Sequence, residues 1–206
     1  MLSRLRSVSA RTLTPLARFL LARGLSPDAV TIAGTAGVVV ASLWLLPTGH
    51  LLAAALVIGL LALTDLLDGL MARTAGRSGP WGAFLDSTLD RVGDAAIFSG
   101  LVVYLARTGD DVGAVLALAC LALGAIVPYA RARAEGLGMT ASVGIAERAD
   151  RLVAVLVATG LVGAGLPPVV LTVVLGLLAV ASAVTVVQRM ATVRRQSIAR
   201  ASEDGS

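Results

Sequence analysis

Six long runs of apolar residues dominate this chain of 206 residues. They cover approximately residues 29–46, 51 to beyond 71, 83–105, 112–129, 152–166 and 169–187. Each run is close to the roughly 20 residues that an α-helix needs to cross about 30 Å of hydrocarbon. A backbone in lipid must satisfy its own hydrogen bonds, so helices are the expected element. The sequence therefore predicts an all-α integral membrane protein with six transmembrane helices.

The amino-acid composition agrees with this fold class. Hydrophobic residues make up 57% of the chain and charged residues 15%, whereas globular proteins have about 45–50% and about 25%. Disordered chains are poorer in apolar residues and richer in charge. A soluble globular domain and a disordered chain are therefore both excluded. The one cysteine, Cys120, excludes an intramolecular disulfide. Basic residues do not alternate with stacking aromatic residues, so no nucleic-acid partner is expected.

The distribution of arginine predicts how the helices are oriented. All 17 basic residues are arginines, and most fall on one side of the predicted spans. That side collects Arg4, Arg6, Arg11, Arg18, Arg23, Arg73, Arg77, Arg131, Arg133, Arg148, Arg151, Arg189, Arg194, Arg195 and Arg200, whereas the other side has Arg107. By the positive-inside rule, the arginine-rich side and both termini face the cytoplasm. We expect a multi-pass protein of a bacterial inner membrane.

Three segments can be distinguished along the chain. Residues 1–25 are expected to form an amphipathic helix at the membrane surface, because Arg4, Arg11 and Arg18 repeat every seven residues. Residues 26–196 form the predicted transmembrane domain. It opens with Ser26, Pro27 and Asp28, which are typical of the first turn of a helix. Residues 197–206 are a polar cytoplasmic tail.

Four aspartates interrupt the apolar runs near the predicted cytoplasmic surface. Asp65 and Asp68 lie three residues apart on the second span, and Asp86 and Asp90 lie four apart on the third. The short connecting turn predicts that these two helices are antiparallel neighbours with facing acidic stripes. Two unit charges 4 Å apart repel by about 4 kcal/mol at an effective dielectric constant of 20. The carboxylates must therefore be protonated or bind cations, and all-oxygen ligands favour Mg²⁺, Mn²⁺ or Ca²⁺.

A pair of such ions could bind a diphosphate, and the surrounding residues carry a resemblance that points the same way. Residues 65–90 follow the pattern D-x-x-D-G-x-x-A-R-x₈-G-x-x-x-D-x-x-x-D. This pattern resembles the signature of the CDP-alcohol phosphotransferase family at all eight fixed positions. The resemblance implies a six-helix homodimeric membrane protein. It also implies transfer of a phosphatidyl group from CDP-diacylglycerol to an alcohol, with release of CMP.

The resemblance also implies a role for each residue of the motif. The ligands of two Mg²⁺ ions, for which Mn²⁺ is an alternative, would be Asp65, Asp68, Asp86 and Asp90. Asp90 would also be the general base that accepts the proton of the acceptor hydroxyl. Binding of the nucleotide and its phosphates would involve Asp28, Thr31, Gly69, Ala72, Arg73 and Gly82.

The identity of the acceptor alcohol is predicted from the rest of the chain. Residues 86–91 read D-S-T-L-D-R and depart from the D-P-x-x-D-K typical of members that use glycerol phosphate. Residues 129–135 and 144–152 resemble the bacterial branch that makes phosphatidylinositol phosphate, which implies inositol 1-phosphate as the acceptor. Its phosphate would be bound by arginines on the cytoplasmic side, namely Arg131, Arg133, Arg148, Arg151 and Arg194.

Other interpretations of the same residues remain open. Glycerol 3-phosphate or free inositol could be the acceptor in the same chemistry. A prenyl-type transferase also binds diphosphates through D-x-x-D pairs, and intramembrane carboxylates also occur in ion-coupled transporters. Asp94 continues the stripe of Asp86 and Asp90, and we expect it to form hydrogen bonds between helices.

Overall fold

The computed structural model describes residues 14–76 and 79–204, apart from the side chains of residues 65, 66, 203 and 204. Every regular element in these residues is a helix, as predicted. The helices are α1 (residues 14–22), α2 (Pro27–Leu45), α3 (Leu51–Ala62), α4 (Thr64–Thr74), α5 (Pro80–Arg107), α6 (Asp111–Gly136), α7 (Arg148–Gly163) and α8 (Val169–Asp204).

The apolar runs correspond to six rods that alternate in direction, with α3 and α4 together forming the second. At one end of the bundle, the Arg107 guanidinium donates to the carbonyl of Pro47, and the Thr172 hydroxyl donates to the Asp110 carboxylate. At the other end, the side chain of Gln196 on α8 pairs with the backbone of Thr140, which follows α6. The bundle therefore has two distinct ends.

Four of the rods are long and apolar enough to cross a membrane: Pro27–Leu45, Leu51–Thr74, Asp111–Gly136 and Val169–Ser202. The other two are α5 and α7. Helix α5 carries three charged residues in its first half, and α7 has only 16 residues. Many large apolar side chains on the outer faces of the rods are exposed, including Leu56, Leu60, Leu177 and Val187. Such an apolar outer surface suits contact with lipid.

Helix α2 lies at the centre of the half of the bundle that carries the aspartate motif. It packs against α3, α4 and α5, and the glycines at its contacts allow close approach. A Cβ atom at Gly34 would collide with the Thr64 hydroxyl on α4, and one at Gly100 on α5 would collide with the Ser42 carbonyl on α2. The second and third rods, which the sequence predicts to be antiparallel neighbours with facing acidic stripes, make little direct contact with each other in the described residues. Helix α4 packs mainly on α2 and α3, whereas α5 packs mainly on α2 and α6.

The second rod is not one continuous helix. It divides at Leu63, which separates α3 from α4, two residues before the first aspartate of the motif. The Thr64 hydroxyl donates to the Leu61 carbonyl at 2.5 Å, so a side chain satisfies a backbone acceptor at the division. The division lies where α2 approaches, since Gly34 contacts Thr64. A separate helix, α4, therefore carries the D-x-x-D segment.

The two ends of the chain are more helical than the apolar runs indicate. Helix α8 continues to Asp204, so most of the segment 197–206 is helical. Helix α1 places Ala17 against Leu67 and Met71 of α4, while Leu16 and Phe19 on α1 are exposed. Residues 1–13, on which part of the predicted amphipathic helix falls, lie outside the described residues.

Candidate active site

An open cleft of about 950 Å³ lies where α4 ends and α2 and α5 begin. Eight of the residues predicted to bind nucleotide or metal line it together: Asp28, Thr31, Asp68, Gly69, Ala72, Arg73, Gly82 and Asp86. Its other lining residues are Pro27, Gly79, Ala83 and Leu85. The fold thus brings three separate segments of the chain into one concave site.

The first turns of two helices face this cleft. Ser26 caps α2 by accepting a hydrogen bond from the Ala29 amide at 3.2 Å, and Pro27 occupies the first helical position. Pro80 likewise opens α5, after Gly79 in an extended conformation. Helix N-termini carry partial positive charge and unpaired N–H groups, which favour phosphate. Together with Arg73, they make the cleft suitable for a diphosphate.

A buried hydrogen bond holds Asp68 against α2. The Thr31 hydroxyl donates to Asp68 Oδ2 at 2.6 Å, and both side chains are buried. The Pro27 carbonyl oxygen, one turn earlier, lies 3.1 Å from the same hydroxyl and is a second, longer acceptor for its one proton. The bond to Asp68 orients a carboxylate of the D-x-x-D segment. It also gives Thr31 a role that is independent of any ligand.

Glycines keep part of the cleft open. No atom lies within 4 Å of the position that a Cβ atom would occupy at Gly82 or at Gly79, and at Gly69 the nearest is Arg73 Nη1 at 3.8 Å. Side chains at these positions would project into empty space beside the aspartates. The glycines therefore leave room for a bulky ligand, rather than for a neighbouring helix.

Asp90 lies one helical turn beyond Asp86 and faces a narrow adjoining cavity between α2, α3, α5 and α7. Arg148 Nη1 lies 2.8 Å from Asp90 Oδ1, and Arg91 Nη2 lies 3.6 Å from Asp90 Oδ2. Arg148 Nε also donates to Asp94 Oδ1 at 3.1 Å. The first residue of α7 therefore bridges two carboxylates on consecutive turns of α5.

Asp94 connects this network of charged side chains to the interior of the bundle. Its second oxygen lies 3.5 Å from Arg151 Nη2, and Arg151 is 2% exposed. The same Arg151 nitrogen lies 3.5 Å from the Gly124 carbonyl of α6. Asp94 thus connects α5 with α7 through hydrogen bonds, as expected from the sequence.

The sequence profile of the CDP-alcohol phosphatidyltransferase family matches residues 24–146, which include every residue of the cleft, together with Asp90 and Asp94. The chain belongs to the CDP-alcohol phosphatidyltransferase family. Phosphatidylinositol phosphate synthases are among its relatives. That of Streptomyces avermitilis is 48% identical over 93% of this chain and 82% of its own length. That of Cutibacterium acnes is 46% identical over 95% and 98%.

Two solved structures of the Mycobacterium tuberculosis phosphatidylinositol phosphate synthase are similar to this family member. One, with CDP-DAG bound, has a TM-score of 0.86 and 43% identity, covering 89% of this chain and 94% of that chain. The other, in complex with manganese and citrate, has a TM-score of 0.82 and 42% identity, covering 88% of each chain. The fold is therefore shared along most of the chain.

The donor set of the family motif suits a hard divalent cation. Asp68 and Asp86 offer carboxylate oxygens to one cleft, and such oxygens are the ligands that Mg²⁺ and Mn²⁺ prefer. Among the side chains that the structure describes, no three acidic, histidine or cysteine side chains are grouped closely enough to hold a metal ion. The side chain of Asp65 is not among the described side chains. The backbone of Asp65 lies on α4, one turn before Asp68.

The five arginines predicted to bind the acceptor phosphate do not form one cluster. Arg148 and Arg151 belong to the network of Asp90 and Asp94. Arg131 pairs with Glu135 on the exposed surface of α6 at 2.9 Å. The remaining two, Arg133 and Arg194, line a separate, largely apolar groove between α6 and α8. Arg148 alone among them contacts an aspartate of the family motif in the described structure.

Two further polar residues were not predicted from the sequence. Trp81 Nε1 donates to Asp28 Oδ2 at 3.0 Å, although 53 residues separate them. Arg189 is 5% exposed and donates to the carbonyls of Val127 and Val143. The sequence does contain a signal for the role of Arg189, because it is an arginine within an apolar helix and a buried guanidinium requires hydrogen-bond acceptors. The partner of Trp81 has no local sequence signal, because the contact depends on how α2 meets α5.

Proposed function

We propose that this protein transfers a phosphatidyl group from CDP-diacylglycerol to inositol 1-phosphate, giving phosphatidylinositol phosphate and CMP. The observation that carries the proposal is the cleft itself, where the complete nucleotide-binding motif of the family lines one cavity. Relatives of 46–48% identity are phosphatidylinositol phosphate synthases. The similar Mycobacterium tuberculosis structure has CDP-DAG bound.

In this proposal, the cleft binds the CDP part of the lipid. The space beside Gly69, Ala72 and Gly82 accommodates the nucleotide and its phosphates. Arg73 and the first turns of α2 and α5 supply positive charge and N–H donors to the diphosphate. The acyl chains would stay in the surrounding lipid, against the apolar outer faces of the helices. A lipid-linked nucleotide is thus held by its headgroup alone.

Asp65, Asp68, Asp86 and Asp90 would hold two divalent cations, Mg²⁺ or Mn²⁺. One similar structure is in complex with manganese, which supports the use of a divalent cation. Bound cations would supply neutralisation of charge on the diphosphate and on the departing CMP phosphate. The hydrogen bond from Thr31 contributes by fixing the orientation of Asp68.

Asp90 is the proposed general base. The acceptor hydroxyl loses its proton to the Asp90 carboxylate as its oxygen forms a bond to the phosphorus that carries diacylglycerol. The bond from that phosphorus to the oxygen of CMP breaks, and CMP leaves. Arg148 is already 2.8 Å from Asp90 and is oriented by Asp94. It is therefore our first choice for contacting the phosphate of the acceptor.

Arg131, Arg133, Arg151 and Arg194 remain weaker proposals for acceptor binding. Arg151 is enclosed and serves Asp94, so we propose that it acts by supporting Arg148. Arg133 and Arg194 lie in their own groove between α6 and α8. An acceptor that reached them would have to extend well beyond Asp90.

We further propose six membrane spans within residues 26–196, with the cleft and both termini on the cytoplasmic side and with assembly as a homodimer. The arginine distribution supports this orientation. It is also supported by Arg73 in the cleft and by Arg148 beside Asp90, since both arginines belong to the arginine-rich side of the predicted spans. Lipid substrate in the inner leaflet and soluble acceptor in the cytoplasm would meet there.

A side-by-side assay with purified protein tests the proposed acceptor. CDP-diacylglycerol and Mg²⁺ are combined with inositol 1-phosphate, free inositol or glycerol 3-phosphate, and CMP and the lipid product are measured. We expect inositol 1-phosphate to be preferred over free inositol by at least about tenfold in kcat/KM, since only a phosphorylated acceptor can pair with arginine. It should also be preferred over glycerol 3-phosphate, because the relatives of 46–48% identity are phosphatidylinositol phosphate synthases. Chelation should abolish turnover, and Mg²⁺ or Mn²⁺ should restore it. A preference for glycerol 3-phosphate would overturn the acceptor assignment.

A further inference from the structure

Trp81 occupies the second position of α5, at the edge of the cleft. Its indole N–H donates to Asp28 Oδ2 at 3.0 Å, which joins the first turn of α5 to the first turn of α2. Asp28 lines the cleft, and so do Gly79, Gly82 and Ala83 around Trp81 in the sequence. The bond therefore spans the two helix starts that face the ligand space.

The ring of Trp81 is largely exposed. Its exposed fraction is 61%, and the ring of Phe84, which is equally exposed, lies 6.1 Å away between centroids. Burial of the indole therefore does not explain its orientation. An exposed tryptophan has many other rotamers available, so the hydrogen bond to Asp28 is the specific interaction that fixes this one.

The same bond is not needed to hold the two helices together. Helices α2 and α5 pack along much of their length through contacts deeper in the bundle, such as Gly93 against Val38 and Gly100 against Ser42. Loss of one exposed hydrogen bond at the rim would leave that packing intact. Its direct effect falls on the Asp28 carboxylate, which would gain rotational freedom.

We propose that Trp81 is a positioning residue of the nucleotide site. By binding Oδ2, the indole N–H fixes the Asp28 carboxylate so that its other oxygen is presented to a donor group of the nucleotide, such as a ribose hydroxyl or the cytosine amine. The proposal rests on the proposed function, because it takes the cleft as the site of CDP-diacylglycerol. It requires an N–H donor at position 81, and an aromatic ring alone does not suffice.

The variant Trp81→Phe tests this requirement, since it keeps an aromatic ring and removes the donor. The chain has two tryptophans, and Trp44→Phe is the matched control because Trp44 is exposed near the opposite end of α2. CMP affinity is measured by calorimetry in the presence of Mg²⁺, and KM values are measured for both substrates. We expect Trp81→Phe to weaken CMP binding and to raise the KM for CDP-diacylglycerol by about three- to tenfold. The KM for inositol 1-phosphate and the properties of Trp44→Phe should be unchanged.

A double-mutant cycle with Asp28→Ala separates positioning from a general structural effect, because alanine removes the acceptor of the indole N–H. If Trp81 acts through Asp28, adding Trp81→Phe to Asp28→Ala causes little further loss of CMP affinity. Independent, multiplying losses would overturn the proposal, and so would wild-type CMP affinity in Trp81→Phe. CMP binding that follows the expected pattern in a protein without transfer activity would refute the proposed function and leave the role of Trp81 standing.

Discussion

At the scale of single residues, Asp90 is the residue on which the proposed chemistry depends most. It lies between Arg148 and Arg91 and faces the cavity next to the nucleotide cleft. Asparagine has nearly the same shape and can still accept a hydrogen bond from Arg148, but it cannot accept a proton. The change to asparagine therefore tests chemistry with little effect on packing.

We expect Asp90→Asn to lower kcat by at least about 100-fold, the usual contribution of a general base. CMP release with CDP-diacylglycerol and inositol 1-phosphate is the measurement, and size-exclusion chromatography in detergent checks that the variant folds. Asp150→Asn is the control, because Asp150 is exposed in the first turn of α7 near Arg148 and should keep full activity. Retention of wild-type kcat by Asp90→Asn would refute its role as a base.

The sequence predicts which residues line the cleft better than it predicts their partners. Gly69 and Arg73, or Gly82 and Asp86, are brought together by helical periodicity within one segment, which spacing reveals. The contacts Trp81–Asp28 and Arg148–Asp90 join different helices. These contacts depend on how the rods are arranged and rotated, and spacing along the chain carries no information about that.

At the scale of helices, the six apolar runs predict the six rods but not their exact ends. A run of apolar residues indicates only the part of a helix that suits lipid. The polar ends of α5 and α8 continue as helix beyond their apolar parts. The division at Leu63 and the position of α2 between α4 and α5 also could not be predicted. Both features depend on the close approach of two helices at small residues such as Gly34. A run of apolar residues in the sequence does not reveal which helices approach each other there.

The contact between α2 and α5 makes a prediction about stability. A Cβ atom at Gly100 would collide with the Ser42 carbonyl and lie 3.0 Å from Leu46 Cδ1, and backbone cannot move aside easily. We expect Gly100→Ala to destabilise the protein by about 1–3 kcal/mol through overpacking. The apparent Tm in detergent should fall by several degrees.

Gly59→Ala is the matched control for this substitution. Gly59 is also inside a helix, but no atom lies within 4 Å of a Cβ at that position. Alanine favours helix by up to about 1 kcal/mol over glycine, so an unchanged or higher Tm is expected. Equal Tm values for wild type and Gly100→Ala would show that α2 and α5 are not in close contact there.

At the scale of the whole molecule, the two ends of the bundle should lie on opposite sides of the membrane. Cys120, the one cysteine in the chain, is buried on α6, so the wild-type protein provides an unlabelled background. Ala75 and Ala164 are exposed in turns at opposite ends. Cysteines placed there report the orientation directly.

We expect a membrane-impermeant maleimide to label Ala164→Cys in intact spheroplasts. Ala75→Cys should react only after the membrane is permeabilised, because in the proposed orientation the arginine-rich end faces the cytoplasm. The opposite pattern would reverse the orientation. Labelling of both positions in intact spheroplasts would contradict the six-span arrangement.

The central claim is that the cleft between the starts of α2 and α5 and helix α4 binds the CDP part of the lipid substrate. A CDP-diacylglycerol analogue with a photoreactive cytosine tests it most directly, with cross-linked peptides mapped by mass spectrometry. The account predicts adducts within residues 27–31, 68–73 and 79–86, and competition by CMP. Adducts in the groove between α6 and α8, with none in those three segments, would contradict it.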